Sequence, residues 1–393
     1  MGKGPPVKVG IIGTGFVARH FALELERRQG YRLARVLTRR PAESVAAFAD
    51  GALTRSTDEL IEASDVVFEC SGDVFHAATT IGRALDAGRP VVTLNAEFHA
   101  TIGSHFVERG ALSEAEGDQP GSLAALREDA LAMGFTPLVY ANMKAFLNRN
   151  PTPEEMRYWA ARQNFSVAMV TAFTDGTKVQ IEQCLVANGL RAGIAKEELI
   201  GLETKDLEHA ARELGAVADQ LGHPISDYIL DIGLPNGVFV VARHDEGQAA
   251  ALRNFKLGSG PYYLLVKDYC LAHLEAFKTI ERLLGENRVL INNGTSPRVS
   301  VASVAKRRLR AGETIERGYG SFDLRGICVN IAERAGHLPV CLARDLHIRR
   351  AIEPGQIIML EDVELPETEA LAAWRSIEED ALGGASESRP QPA

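Results

Sequence analysis

The hydrophobic positions of the first 140 residues change period repeatedly. An apolar run, Val7-Lys8-Val9-Gly10-Ile11-Ile12, reads as a buried strand, and Phe16 to Arg27 then carries apolar residues at helical spacing. Tyr31 to Leu37 is the next strand. Ser56-Thr57 caps a short helix over Asp58 to Ala63, Asp65 to Gly72 is a buried strand ending in small residues, His76 to Ala87 is helical in spacing, and Pro90 to Asn95 is a further strand. Strand–helix alternation to about residue 140 predicts a parallel sheet with helices on its faces.

The rhythm then changes. Thr136 to Tyr140 predicts a strand followed by a loop, Ala141 to Lys144. Thr152-Pro153-Glu154-Glu155 starts a helix with proline in its first turn. Phe173 to Lys178 leads into a helix reaching about Asn188, another helix covers about Lys205 to Leu221, and Val238 to Arg243 and Pro261 to Val266 read as strands. The last hundred residues hold an internal repeat. Lys306-Arg307-Arg308-Leu309-Arg310-Ala311-Gly312-Glu313-Thr314-Ile315 returns as Ile348-Arg349-Arg350-Ala351-Ile352-Glu353-Pro354-Gly355-Gln356-Ile357, each a short strand feeding a glycine turn. The expected fold class is α/β. A Rossmann-type parallel sheet occupies 1–145, a mixed α+β substrate and catalytic domain 146–297, a small β-rich module 298–368, and a helical end 369–393 whose Ser-, Gly- and Pro-rich tail from Gly383 is predicted disordered.

Between the first strand and helix lies Gly13-Thr14-Gly15-Phe16-Val17-Ala18. In a dinucleotide site Gly13 permits the tight turn, Gly15 lets the backbone approach a pyrophosphate, Phe16 and Val17 open the helix whose N–H groups face the anion, and Ala18 allows close helix packing. The alternative is a tight turn without a ligand. The second strand ends in Leu37-Thr38-Arg39-Arg40, with no acid for ribose hydroxyls and two guanidinium groups able to clamp a 2′-phosphate. NADP(H) is therefore expected ahead of NAD(H), unless the two arginines form a solvated face. Ligands of such sheets bind beyond the strand carboxyl ends. That places Ser71 and Gly72 beside the nicotinamide ribose, Asn95 near the ring, and Glu97 within reach of the substrate.

The strongest chemical cluster is Lys144 with Asp175, Lys178 and Glu182. The last three are spaced by three and four, on or near one face of a helix beginning near Gly176. A desolvated lysine can exchange the proton that hydride transfer to a carbonyl requires, while its carboxylate neighbours hold it or bind a divalent metal, Mg or Mn. The alternative is a solvated i,i+4 ion pair on an exposed helix. Asn142 precedes Lys144 in the same loop and is a candidate substrate ligand. A second candidate, Lys256-Leu257-Gly258-Ser259-Gly260-Pro261-Tyr262-Tyr263, offers Lys256 and Ser259 to an anionic group, or is a hairpin turn. His273 and Glu275 could serve as a proton relay or metal ligands, or be structural.

Length and composition narrow the class. The 393 residues suggest two or three domains, and 46% hydrophobic with 24% charged residues is ordinary for a soluble globular protein. A net charge of −9 argues against nucleic acid or an anionic membrane as main partner, leaving a small-molecule substrate. No apolar run approaches the roughly 20 residues that span a bilayer, and a cytoplasmic enzyme is expected, by default a homo-oligomer. Cys70, Cys184, Cys270, Cys328 and Cys341 are far apart and odd in number, so they read as reduced thiols rather than a disulfide frame or zinc site.

Together the glycine fingerprint, Asn95-Ala96-Glu97, Glu116-Gly117-Asp118-Gln119-Pro120-Gly121, Asn142-Met143-Lys144, Phe173-Thr174-Asp175-Gly176-Thr177-Lys178, Gly258-Ser259-Gly260-Pro261-Tyr262 and the terminal repeat resemble the homoserine-dehydrogenase-like oxidoreductases with a C-terminal SAF domain. One branch is the 1-deoxy-D-xylulose-5-phosphate-reductoisomerase-like enzymes. The resemblance runs from about residue 7 to 366. It implies NAD(P)H-dependent chemistry on a small polar oxo or hydroxy compound in a cleft between the nucleotide and central domains. In the reductoisomerase-like branch it also implies a phosphorylated ketose and a divalent cation, with Asp175 or Glu182 as ligands. A non-catalytic nucleotide- or carbohydrate-binding protein is the reading from another class.

Overall fold

The computed structural model describes residues 4–387 except 42–43, 46–47 and 49–50. The first part of the chain runs β1 (Val7–Ile12), α1 (Phe16–Arg27), β2 (Tyr31–Leu37), β3 (Leu53–Thr54), α2 (Thr57–Ala63), β4 (Val66–Glu69), α3 (Val74–Asp86), β5 (Val91–Thr93), α4 (Ala96–Ile102), β6 (Leu112–Glu114) and α5 (Gln119–Ala132). Its six strands form a parallel sheet in the order β3-β2-β1-β4-β5-β6, the order of a dinucleotide-binding fold. β4 and β5 are buried on both faces, as their unbroken apolar runs require.

The second part runs β7 (Thr136–Lys144), α6 (Pro153–Gln163), α7 (Val167–Thr174), α8 (Thr177–Gly189), β8 (Leu202–Glu203), α9 (Leu207–Leu221), β9 (Ile225–Leu230), β10 (Val238–Arg243), α10 (Ala249–Asn254), β11 (Tyr263–Lys267) and α11 (Ala272–Glu286). Its sheet is mixed, in the order β11-β10-β7-β9-β8. β7 lies in this sheet, antiparallel to β10 and parallel to β9, rather than extending the first. Ala141 to Lys144 are therefore strand, not loop, because Val238 and Phe239 pair with Asn142 and Ala141. α11 returns to the first sheet, where Phe277 stacks on Phe21 at 4.6 Å and Phe21 on Phe68 at 4.1 Å.

The third part comprises β12 (Val299–Ala305), β13 (Thr314–Arg317), β14 (Leu324–Asn330), β15 (Arg344–Ile348), β16 (Val363–Glu364) and α12 (Glu369–Glu387), with small antiparallel sheets β12-β14 and β13-β15-β16. The sequence repeat folds as a pseudo-two-fold pair. Leu309 and Ile352 exchange both backbone hydrogen bonds, the Gly312 N–H bonds Ile348 O while Gly355 N–H bonds Ala305 O, and both turn glycines have positive φ. The helical end differs from expectation: α12 includes Gly383 to Glu387, and the rest of the predicted disordered tail lies outside the described residues.

α8 is the centre of the molecule. Thr177 through Ala187 are all buried although Lys178, Gln180, Glu182 and Gln183 are polar, so the helix is enclosed on every side. A solvated ion pair on an exposed helix is thereby ruled out for Lys178 and Glu182. No described helix is long and apolar enough to cross a membrane. The five cysteines are free, with Cys184, Cys328 and Cys341 buried.

Candidate active site

The glycine turn is built for close approach. Gly13 sits at φ 118°, where a Cβ would meet the Cys70 carbonyl at 3.1 Å, whereas a Cβ on Gly15 would enter open space. Gly15 is the N-cap of α1 and supplies no side-chain cap, leaving first-turn N–H groups for a pyrophosphate. In front lies a cavity of about 270 Å³ lined by Gly13, Thr14, Gly15, Leu37 to Arg40, Cys70, Ser71 and His76. Both arginines border it. Arg40 Nη2 donates to Thr14 O at 3.0 Å and to the Thr14 hydroxyl, and Arg39 Nη1 donates to Asp73 at 2.9 Å. Phe16 exposes its ring near Phe165 (5.6 Å), while Val17 packs toward the core. A dinucleotide with a 2′-phosphate fits this set of residues.

At the adjoining strand ends Ser71 directs its N–H (2.8 Å) and hydroxyl to Glu69, whose other oxygen accepts from Thr93 Oγ at 3.1 Å. Burial pushes the Glu69 carboxyl up while those bonds pull it down. Gly72 is at φ 65°. Asn95 is fully buried and caps α4, accepting from Phe98 N at 3.0 Å, which fixes the first turn that carries Glu97.

Lys178, from the first turn of α8, reaches across to that turn. Its Nζ lies 3.0 Å from both Glu97 oxygens, with Lys178 and Glu97 only 8% and 2% exposed. Tyr319 Oη donates to Glu97 Oε1 at 2.6 Å. Burial alone would lower the Lys178 pKa, but the charges of Glu97, Asp118 and Glu182 outweigh it and raise the pKa above its ordinary value. The ammonium is thus held protonated, in contrast to the expectation of a lysine eased toward neutrality by desolvation. Next to it Glu114 and His99 are fully buried with Nε2 and Oε2 3.6 Å apart, and Asp118 adds its charge to the same space. Burial pushes the Glu114 carboxyl well up and holds His99 down at about 3.

The other predicted chemical residues divide into separate groups. Glu182 accepts at one oxygen from Asn142 Nδ2 (2.7 Å) and Lys144 Nζ (2.8 Å), joining these three at the end of β7. Asp175 turns away from Lys178: at the end of α7 it accepts from Thr177 N at 2.8 Å and pairs with Lys306 Nζ at 2.5 Å. Both carboxylates suggested as metal ligands are therefore occupied by lysines, and the described residues contain no group of three or more His, Cys, Asp or Glu able to hold a metal. The donor set does not fit a divalent cation. Lys256 and Ser259 are exposed on the loop before β11. Register places that loop at the Thr136 end of the sheet, opposite Asn142 and Lys144, so it is not brought to the cluster. Glu275 binds Lys267 (2.5 Å) and Lys278 (3.1 Å) together with Glu116, a structural ion cluster, and His273 lies beside His20.

Tyr319, Lys306, Asp118, Glu114 and His99 escaped the sequence reading. One signal was present for Tyr319. It stands between Gly318 and Gly320, and a Cβ on Gly320 would collide with the Ala168 carbonyl, so the glycines press the tyrosine against α7.

Residues 117–276 match the family model described as oxidoreductase DRL, catalytic domain. No curated protein matches the sequence. Among solved structures the chain is similar to a UDP-N-acetylglucosamine 3-dehydrogenase from Acidithiobacillus ferrooxidans (12% identity, 74% of this chain and 93% of that one, TM-score 0.42). It is also similar to a biliverdin reductase from Synechocystis sp. PCC 6803, solved with biliverdin and NADP+ (15%, 72% and 92%, 0.37), and to the S. aureus homoserine dehydrogenase (13%, 83% and 93%, 0.37). These likenesses are shallow. An oxidoreductase catalytic domain joined to a dinucleotide-binding half is the architecture of an NAD(P)-dependent oxidoreductase.

Proposed function

We propose that the chain is an NADPH-preferring oxidoreductase acting on the carbonyl or hydroxyl of a small polar, optionally phosphorylated, substrate, with Lys178 as proton donor. The observation that carries this reading is the buried Lys178 ammonium held by Glu97 at the strand ends beside the glycine cradle. When bound, the nicotinamide supplies or takes the hydride. In reduction, Lys178 Nζ gives a proton to the carbonyl oxygen, and its raised pKa makes it an acid that arrives charged and stabilises the developing alkoxide before transfer. Glu97 orients the ammonium, and Tyr319 orients Glu97. Oxidation is the reverse of this step and starts from the neutral amine that reduction leaves, so the raised pKa favours the direction of reduction. Lys144, Asn142 and Glu182 are bonded to one another beside it, and Lys144, the least buried of the three, is the one available to the substrate's polar groups.

The reductoisomerase alternative calls for a metal, and the lysine-occupied carboxylates favour the simple redox reaction over it. The SAF-like reading of 298–368 and assembly as a homo-oligomer belong to the same proposal, as do the domain limits given above except that β7 falls in the second domain; the paired glycine turns support the first.

Titration with NADPH and NADH, followed by fluorescence, tests the cofactor end. Charge-assisted hydrogen bonds contribute about 1.5–3 kcal/mol each, but Arg39 and Arg40 already have partners in Asp73 and Thr14. Arg39→Ala with Arg40→Ala is therefore expected to weaken NADPH about 10- to 100-fold and NADH by less than about twofold. Equal loss for both nucleotides, or binding of neither to the wild type, overturns the reading.

A further inference from the structure

The cavity beside Glu97 is walled by three parts of the chain. Ser71 and Gly72 come from the first sheet, Met169 from α7, and Arg317, Tyr319 and Arg344 from the C-terminal module, around a volume of about 240 Å³. It adjoins the dinucleotide cradle, with which it shares Arg39 and Ser71. At about 30 Å³ per water it takes a molecule of on the order of eight heavy atoms.

Its charge is unbalanced. Arg317 and Arg344 stand directly opposite each other across antiparallel β13 and β15. Like charges so placed destabilise a sheet, and a β-branched residue at either position would relieve the repulsion. Asp73 approaches Arg344 at 3.4 Å but also takes Arg39 at 2.9 Å, so one carboxylate serves two guanidinium groups. Arg317 has no ion pair among the described residues. Glu97, the cavity's other acid, is engaged by Lys178 and Tyr319. The Arg344 guanidinium is fixed by stacking on the Phe75 ring at 4.3 Å. A repulsive pair held in place at a cavity mouth, next to the proton donor, is completed by an anion, and guanidinium forks match carboxylate and phosphate oxygens.

We propose that Arg317 and Arg344 bind an anionic group of the substrate, a carboxylate or a phosphate monoester, so that the C-terminal module selects what Lys178 acts on. The inference rests on the oxidoreductase reading of Lys178 and Glu97 given above.

Calorimetric titration of the full chain, saturated with NADP+, with inorganic phosphate and separately with acetate tests it. Saturable binding is expected in the wild type, weakened about tenfold or more in Arg317→Gln and in Arg344→Gln, with NADPH affinity unchanged. Tighter phosphate assigns a phosphate ester and tighter acetate a carboxylate, and either upholds the proposal. No saturable binding of either anion, or equal binding in wild type and both variants, overturns it. Failure of NADP+ itself to bind overturns the oxidoreductase reading instead, and the difference between wild type and Arg317→Gln is still read from the anion titration. Should Arg344→Gln misfold through loss of its Asp73 and Phe75 contacts, Arg317→Gln, at an exposed strand position, carries the test alone.

Discussion

Replacing Lys178 by methionine keeps an unbranched side chain as far as Cε and removes the terminal ammonium with its charge and donors, so it separates the structural from the chemical role of that group. Nearly all of Lys178 and Glu97 is shielded from water, and Asp118 and Glu182 add negative charge to the same space. Removing one partner of a buried pair leaves an uncompensated charge and costs about 3–5 kcal/mol, whereas replacing both partners by neutral groups of similar shape is close to neutral. Lys178→Met should therefore lower unfolding free energy by about 4 kcal/mol, and adding Glu97→Gln should restore most of that loss. Tyr319 can still donate to the side-chain amide oxygen that Glu97→Gln introduces, so that oxygen keeps its partner while the charge is gone. Turnover follows a different rule. Loss of a positioned general acid costs about 10²- to 10⁴-fold in rate, and the double variant regains stability but not rate.

The assay is urea unfolding of wild type, the two single variants and the double variant, in parallel with NADPH consumption on whichever oxo acid or sugar phosphate the wild type reduces, and with NADPH binding as a control. A Lys178→Met protein that binds NADPH and turns over at wild-type rate refutes the proton-donor role. A double variant no more stable than Lys178→Met refutes the argument that the ion pair, rather than the lysine's packing, sets the stability.

Two further outcomes are expected. His337 is buried with Nδ1 donating to Arg334 O (2.7 Å) and Nε2 hydrogen-bonded to Ser300 Oγ (2.9 Å), and burial holds its pKa down at about 4. Because the unfolded state binds the proton from about pH 6.5 downward and the folded state only near pH 4, stability falls as pH drops through that window, by about 3 kcal/mol from this residue, and His337→Gln should remove that part of the slope in urea melts at about pH 7 and pH 4. An unchanged slope in the variant would contradict the assignment. Lys256→Ala and Ser259→Ala should leave KM and kcat within about twofold of wild type, since their loop is at the far end of the second sheet; a rise in KM would place that loop against the substrate.

Much of the fold was legible because its signals are local. Period and turn chemistry located β1, α1, β2 and β10 to the residue, and the repeat of Gly312 and Gly355 marked a symmetric pair of turns that the backbone bonds reproduce. The candidate site was legible only as a set of residue types. Lys178, Glu182 and Lys144 are at its centre, but spacing along a helix suggested that Asp175 and Glu182 flank the lysine, whereas its closest carboxylate is Glu97, 81 positions away in sequence. Helical spacing reports neighbours on one helix surface. It says nothing about what a helix buried on all sides meets from other elements, and for the same reason Lys306, delivered by the C-terminal module, was out of reach and Tyr319 was marked only by its flanking glycines.

That enclosure is also what organises the site. The polar residues on the buried length of α8 are tied to several parts of the chain: Thr177 accepts from Gly326 N (2.9 Å) and Gln180 from Cys328 N (2.8 Å) in the C-terminal module, Glu182 binds Lys144 of β7, and Ser226 of β9 donates to the Gln183 backbone carbonyl (2.8 Å). Lys178 is tied to the dinucleotide-binding half. Buried polar groups satisfied in this way specify one arrangement, because any relative shift of the three parts leaves several of them unpaired at once. Lys178 is accordingly held rigidly between two sheets, and motion of α8 itself is the most costly route by which a substrate could reach it. The less costly route is the cavity bounded by Ser71, Met169 and the Arg317–Arg344 pair, which is open without moving α8, and a substrate entering there meets the arginines and the Glu97 carboxylate that holds the ammonium.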